Sequence, residues 1–225
     1  YDSEMINKVR NYIKKNSIKI KPYPNSLDTC GTGGDGKKTL NISTTVGLLI
    51  ASTGIKISKH GNRAASSLSG SSDILNELGF KMENNENRIH KSIKKHNFTY
   101  LNAPNFYPLL KNVGVARKSL GFKTFFNMMG PTLNPLQANY QIVGAFNEKA
   151  AKTIAEILLM NKLKNFKVFS SEDGLDEISI FSPTTVWQKT KNNKIEKKKI
   201  DNKKFAKFLC KKNLSFEDIK GKDAK

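Results

Sequence analysis

Short runs of apolar and β-branched residues alternate with stretches of helical period along most of this chain, and this alternation limits its possible folds more than any other feature. Residues 4–15 set Met5, Val9, Tyr12 and Ile13 at helical spacing. A short strand ends at Cys30, residues 44–52 read as a buried helix stopped by Gly54, and 55–58 as a strand. Residues 72–78 predict a helix with a Ser N-cap, Asp73 in its first turn and Gly79 after its end. Further on, helices are expected at 88–96, 106–118, 124–129 and 149–159, and strands at 98–101, 140–146 and 166–170. Beyond Asp173-Gly174, two extended segments flank an Asn192-Asn193 turn, and 203–212 reads as helical. The pattern predicts an α/β fold with a mostly parallel central sheet flanked by helices.

With 37% hydrophobic residues and a mean hydropathy of −0.51, the chain reads as soluble, and its longest apolar stretch, residues 46–51, is far too short to span a membrane. No signal peptide is visible. The chain starts at Tyr1 inside a helical pattern, so a longer N-terminus is expected. Cys30 and Cys210 lack CxxC or Cys/His spacing, which argues against a disulfide framework or zinc site and for a cytoplasmic location. Cys30 itself reads as a small buried residue at a strand end, and Met128-Met129 as core.

The formal charge is +20, yet only Arg10, Arg63, Arg88 and Arg117 among the 39 basic residues are arginine. A surface built to clamp nucleic-acid phosphates would use more of the bidentate guanidinium. The lysines read as compositional drift, and nucleic acid is not the expected partner.

Gly31-Thr-Gly-Gly-Asp-Gly36 satisfies GxGxxG and most of a P-loop, but both fail in context. Lys38 stands where a P-loop needs Ser or Thr, and no acid follows about twenty positions on for a dinucleotide ribose. From Gly36 to Ser72 there is no acid at all, while Lys37, Lys38, Lys56, Lys59, Arg63 and many hydroxyls crowd the stretch. Glycine-exposed N–H groups, a helix start near Ser43 and these donors suit a phosphate or pyrophosphate.

Six ordered motifs then resemble the anthranilate phosphoribosyltransferase family. They are Gly31-Thr-Gly-Gly-Asp35; Asn41-Ile42-Ser43-Thr44; Lys59-His60-Gly61-Asn62-Arg63-Ala64-Ala65-Ser66-Ser67 with Gly70-Ser71 and Asp73; Arg117 with Leu120-Gly121; Phe126-Asn127 with Gly130-Pro131 and Asn134-Pro135; and Asp173-Gly-Leu-Asp176-Glu177. The resemblance implies Mg2+-dependent transfer of phosphoribosyl from phosphoribosyl pyrophosphate to the amine of anthranilate, with no protein nucleophile.

It assigns Gly31, Gly34, Asp35, Thr39, Asn41, Ile42, Ser43, Thr44, the nine residues from Lys59 to Ser67, and Ser71 to phosphoribosyl pyrophosphate. It assigns Gly31, Asn62 and Arg117 to anthranilate, and Ser43, Asp176 and Glu177 to Mg2+. It further implies a smaller, incomplete helical domain, residues 1–21 with helices from 103–121, beside an α/β domain spanning 22–225, and a homodimer formed through the helical part. Read from the residues alone, His60 is either a ligand contact or a hydrogen-bonded packing histidine. Tyr107, Lys123 and Asn76 stand where the family usually has His, Arg and Glu, and Tyr107 falls at the anthranilate entrance. Rival readings are a pyrimidine nucleoside phosphorylase-like enzyme, whose own glycine signatures are missing, and a non-catalytic basic relative binding nucleic acid. Arginine at position 117 in so lysine-rich a chain points to planar recognition of the benzoate carboxylate. Arg117→Lys is expected to raise the anthranilate KM, and an unchanged KM in steady-state assays would refute that role.

Overall fold

The computed structural model describes residues 2–33, 35–62, 70–110, 113, 122–209 and 213–221. Seven strands form one sheet in the order β3-β2-β1-β4-β5-β6-β7. These are β1 Leu27–Gly31, β2 Ile57–Gly61, β3 Phe98–Asn102, β4 Tyr140–Gly144, β5 Asn165–Ser171, β6 Thr184–Lys189 and β7 Ile195–Ile200. The first five run parallel, whereas β6 and β7 are antiparallel, the hairpin expected around Asn192-Asn193. The described helices are α1 Ser3–Lys15, α2 Ile42–Ser52, α3 Ser71–Glu77, α4 Glu86–His96, α5 Phe125–Met129 and α6 Glu148–Met160.

Parallel strands covered on both faces are expected to be apolar, and β5 buries Phe166, Val168 and Phe169 while leaving Asn165 and Lys167 exposed. The second strand departs from that rule. Its sequence Ile-Ser-Lys-His-Gly is buried at four of five positions, and it runs three residues beyond the expected end at 58. Polarity hid it: Lys59 and His60 are buried because partners from β1 neutralise or bond them, and no local pattern announces those partners. Helix α3 starts one residue earlier than predicted, with Gly70 rather than a serine as N-cap and Asp73 Oδ2 accepting from the Gly70 N–H at 2.7 Å. The serine hydroxyls are engaged elsewhere, Ser71 with Thr44 and Ser72 with Tyr100. The stretch expected as a helix at 203–212 is a 3-10 turn over Asn202–Phe208, with 210–212 outside the described residues. Most of the predicted helix at 106–118 also lies outside them.

Strand order reverses at β1, which has β2 on one side and β4 on the other. In open α/β sheets, such a switch point leaves a crevice beyond the carboxyl ends of the two strands. Those ends are Gly31 and Gly144, paired in register, and the loop after β5 lies across both. A Cβ on Gly144 would come 1.6 Å from the Asp176 backbone oxygen, and one on Gly31 would come 2.8 Å from Asp176 Oδ2. Gly144→Ala must therefore displace backbone and is expected to cost about 3 kcal/mol in denaturant unfolding. Gly130→Ala, where an added Cβ meets open space, should stay within about 0.5 kcal/mol.

Candidate functional site

The glycine loop leaves β1 and turns on Gly33 and Gly36, both at positive φ. Thr32 ties it to β4: its N–H donates to Gly144 O at 2.9 Å, and its Oγ1 accepts from Phe146 N at 3.1 Å. Gly33 N donates to Asp176 Oδ2 at 3.0 Å, so the loop and the post-β5 segment close on one another. The far side of the loop is covered by the C-terminal segment, where Leu40 N donates to Ile219 O and Thr39 bridges Lys220.

Helix α2 follows, with Asn41 as its N-cap and no side-chain cap bond. Its first turn supplies Ser43, whose N–H donates to the Glu177 carboxylate and whose Oγ receives Lys59 Nζ at 3.2 Å. Lys59 also donates to Thr29 O at 2.5 Å. The ammonium is thus buried under the helix start, and burial, the largest influence, lowers its pKa against the pull of Asp28.

Three carboxylates meet here. Burial, then the Asp35 charge, pushes Asp176 up to about 6, and burial, then Asp176, pushes Glu177 up to about 8. Asp35 Oδ2 is buried with no hydrogen-bond donor. Clustered acids held against their own repulsion, an orphaned oxygen and the Ser43 hydroxyl form an oxygen-only donor set, the kind that holds a hard divalent cation such as Mg2+. Asp28, Cys30 and His60 also bring ligand-type atoms close together. Those atoms are already engaged: Asp28 Oδ2 accepts from His60 Nδ1 at 2.6 Å and from Gln141 Nε2 at 3.1 Å, and His60 Nε2 faces Gly130 O at 3.0 Å. Burial holds the Cys30 thiol well above its usual range. This is a hydrogen-bonded core, not a metal centre.

A carbonyl can only accept, so His60 Nε2 carries a proton. With ionised Asp28 accepting at Nδ1, the ring is an imidazolium. Burial opposes that charge, yet Asp28 outweighs it and the pKa rises. Both ring nitrogens of His60 are therefore committed inside the fold.

The structure brings Gly31, Asp35, Ser43, Thr44, Lys59, Ser71, Asp176 and Glu177 together around the ends of β1 and β2. Asn41 and Ile42 open α2, Thr39 sits in the preceding loop, Gly61 ends β2 and Asn62 follows it. Gly34, Arg63, Ala64, Ala65, Ser66, Ser67 and Arg117 lie outside the described residues. Tyr107, which the resemblance puts at the anthranilate entrance, is buried, with its hydroxyl donating to Leu133 O at 2.9 Å. Lys123 sits 4.3 Å above the Phe146 ring, and Asn76 is exposed. Sequence reasoning missed Asp28, Thr32 and Gly144. A glycine at a strand end was a readable signal for Gly144, and Thr32 lay inside the glycine motif, but nothing marked Asp28.

The model of the glycosyl transferase family α/β domain matches residues 23–225. The chain belongs to this family. Among the relatives of this family member, the anthranilate phosphoribosyltransferase of Caldicellulosiruptor saccharolyticus is 44% identical over 88% of the chain and 57% of its own length. That of Clostridium beijerinckii is 42% identical over 95% and 62%. The chain thus spans about three fifths of the curated relatives it matches. A solved anthranilate phosphoribosyltransferase of Saccharomyces cerevisiae in complex with PRPP and Mg superposes with a TM-score of 0.85 at 29% identity, covering 99% of this chain and 60% of that one. The Thermus thermophilus enzyme gives 0.85 at 30% identity, covering 99% and 65%.

A carboxyl pKa raised by folding stabilises the fold below the unfolded value of about 4 and loses that contribution as pH rises through the folded value. The metal-free protein is therefore expected to lose stability in steps through about 6 and about 8. Glu177→Gln should remove the upper step, and saturating Mg2+ should flatten both. Thermal melts from about pH 4 to about pH 9, in chelator and in Mg2+, check this. A Glu177→Gln profile that tracks the wild type above pH 6 would rule it out.

Proposed function

We propose that the chain is the catalytic α/β part of an anthranilate phosphoribosyltransferase, moving phosphoribosyl from phosphoribosyl pyrophosphate to the anthranilate amine and releasing pyrophosphate. The observation that carries this reading is the Asp35–Asp176–Glu177 carboxylate cluster, facing Ser43 and Lys59 at the switch point of the sheet.

Asp176, Glu177 and the Ser43 hydroxyl would hold Mg2+, which neutralises the pyrophosphate as it leaves the ribose C1. Lys59 fixes Ser43 through its Oγ and adds positive charge behind the leaving group. Gly33 and Thr32 hold the loop against Asp176 and Gly144, which sets the distance between the glycine N–H groups and the acids. Gly31, Asn62 and Arg117 receive anthranilate in this reading, with its amine directed at C1. No side-chain nucleophile is required, because the acceptor amine supplies the electron pair.

We place the activity in the cytoplasm, as expected of a biosynthetic enzyme; among the described residues no helix is long and apolar enough to cross a membrane. Residues 1–21 and 103–121 are read as parts of the smaller helical domain, through which a homodimer would form. Anthranilate fluorescence should fall when the full-length protein receives phosphoribosyl pyrophosphate and Mg2+, and chelation should stop the decay. Asp176→Asn should lower kcat/KM roughly 100-fold. No decay with the wild type, together with tight salt-sensitive oligonucleotide binding, would overturn the assignment.

A further inference from the structure

Residues 130–133 are held in an unusual way. Each of their four consecutive backbone carbonyls faces a buried polar side chain from a different part of the fold. His60 Nε2, on β2, meets Gly130 O at 3.0 Å. Gln141 Nε2, on β4, donates to Pro131 O, which Cys30 Sγ also approaches at 3.8 Å. Arg10, on α1, donates to Thr132 O through Nε at 3.0 Å and Nη2 at 2.9 Å. Tyr107 Oη donates to Leu133 O at 2.9 Å. Asn134 closes the series in reverse, its Nδ2 donating to Ser58 O at 2.7 Å.

Two of these donors, His60 and Gln141, belong to the sheet and converge on the same Asp28 carboxylate. The other two, Arg10 and Tyr107, come from α1 and from the segment after β3. Arg10 is one of only four arginines, and it is nearly fully buried among uncharged oxygens of Thr132, Asn11 and Asn161. A guanidinium desolvated in this way, its pKa lowered by burial to about 10, is a costly way to fix a turn unless the turn's position matters.

Strand alternation shows why it matters. On β1 and β2, Thr29 and Lys59 face α2 and the carboxylate site, while their neighbours Asp28 and His60 face residues 130–133. One pair of strands therefore carries the pyrophosphate machinery on one face and the carbonyl clamp on the other. The geometry points to residues 130–133 as the joint that registers α1 and the 103–110 segment against the carboxylate site, with Tyr107 and Arg10 as positioning residues for the acceptor. In the transferase reading Arg117, further along the same chain, receives anthranilate, and Tyr107 anchors the described stretch that precedes it. This inference rests on the transferase reading.

Its test uses Tyr107→Phe, which deletes one hydroxyl, and Arg10→Lys, which keeps the charge but cannot span the two donors to Thr132. In the full-length protein each should raise the anthranilate KM about fivefold, the size of one net hydrogen bond, and leave the phosphoribosyl pyrophosphate KM within about twofold. A purely structural role would lower the melting temperature and leave both KM values alone. A second readout needs no turnover: Mg2+ with pyrophosphate should slow amide hydrogen exchange in α1 and residues 103–110 of the wild type. Tyr107→Phe should lose that protection while still binding pyrophosphate. A wild type that shows linked protection but no anthranilate turnover would sink the substrate assignment and leave the joint standing. Variants that keep the acceptor KM and the linked protection, or that raise both KM values equally, would overturn the joint itself.

Discussion

The carboxylate of Asp28 has no access to water, and much of the site depends on how it is held. It accepts from the His60 backbone N–H, from the His60 ring and from Gln141, which joins β1, β2 and β4 through a single side chain. Burial, the largest single influence, would drive such a group to its neutral form, but the His60 charge and hydrogen bond, with Asn134 and Lys59, together hold its pKa below the ordinary value. A buried pair of this kind is conditional: with either partner gone, the other is an uncompensated charge in the core. Because His60 also binds Gly130 and Gln141 binds Pro131, the pair fixes a segment far from it in sequence.

Lys59 and His60 are neighbours with opposite roles. Strand pleating sends one toward Ser43 and the other toward Asp28, so the ionic contacts of the site and those of the core are separated by a single layer of backbone. The carboxylate cluster above the strand ends works against the fold. Burial and neighbouring charge hold Asp176 and Glu177 where their own ionisation is disfavoured, an arrangement suited to a bound cation. The two glycines at the switch point let the acids come so close: the Asp176 carboxylate occupies the volume where a side chain at position 31 would be, and the Asp176 backbone that of a side chain at 144.

Much of this architecture was legible beforehand. Apolar periodicity located the six described helices and, β2 excepted, the described strands to within a few residues, because burial of apolar groups leaves a period in the sequence. The glycine loop and the acid-free, hydroxyl-rich stretch were readable as an anion site from residue type alone, whereas only the family motifs singled out the distant Asp176-Glu177 pair. The resemblance put Tyr107 at the anthranilate entrance, but nothing in the sequence showed that its side chain would be buried with the hydroxyl committed to Leu133.

The sequence by itself determined the α/β alternation and the anion-seeking glycine loop, since each of these is local and leaves a composition or period. Only the tertiary structure decided that β2 would bury a lysine and a histidine, that Gly144 must lack a side chain, and that residues 130–133 would be held from four directions. Each of those depends on partners distant along the chain: Asp28 with His60 and Gln141, Gly144 with Asp176, and Arg10 with Thr132. A buried polar group is stable only beside its partner, and the partner's position is a property of the packed fold.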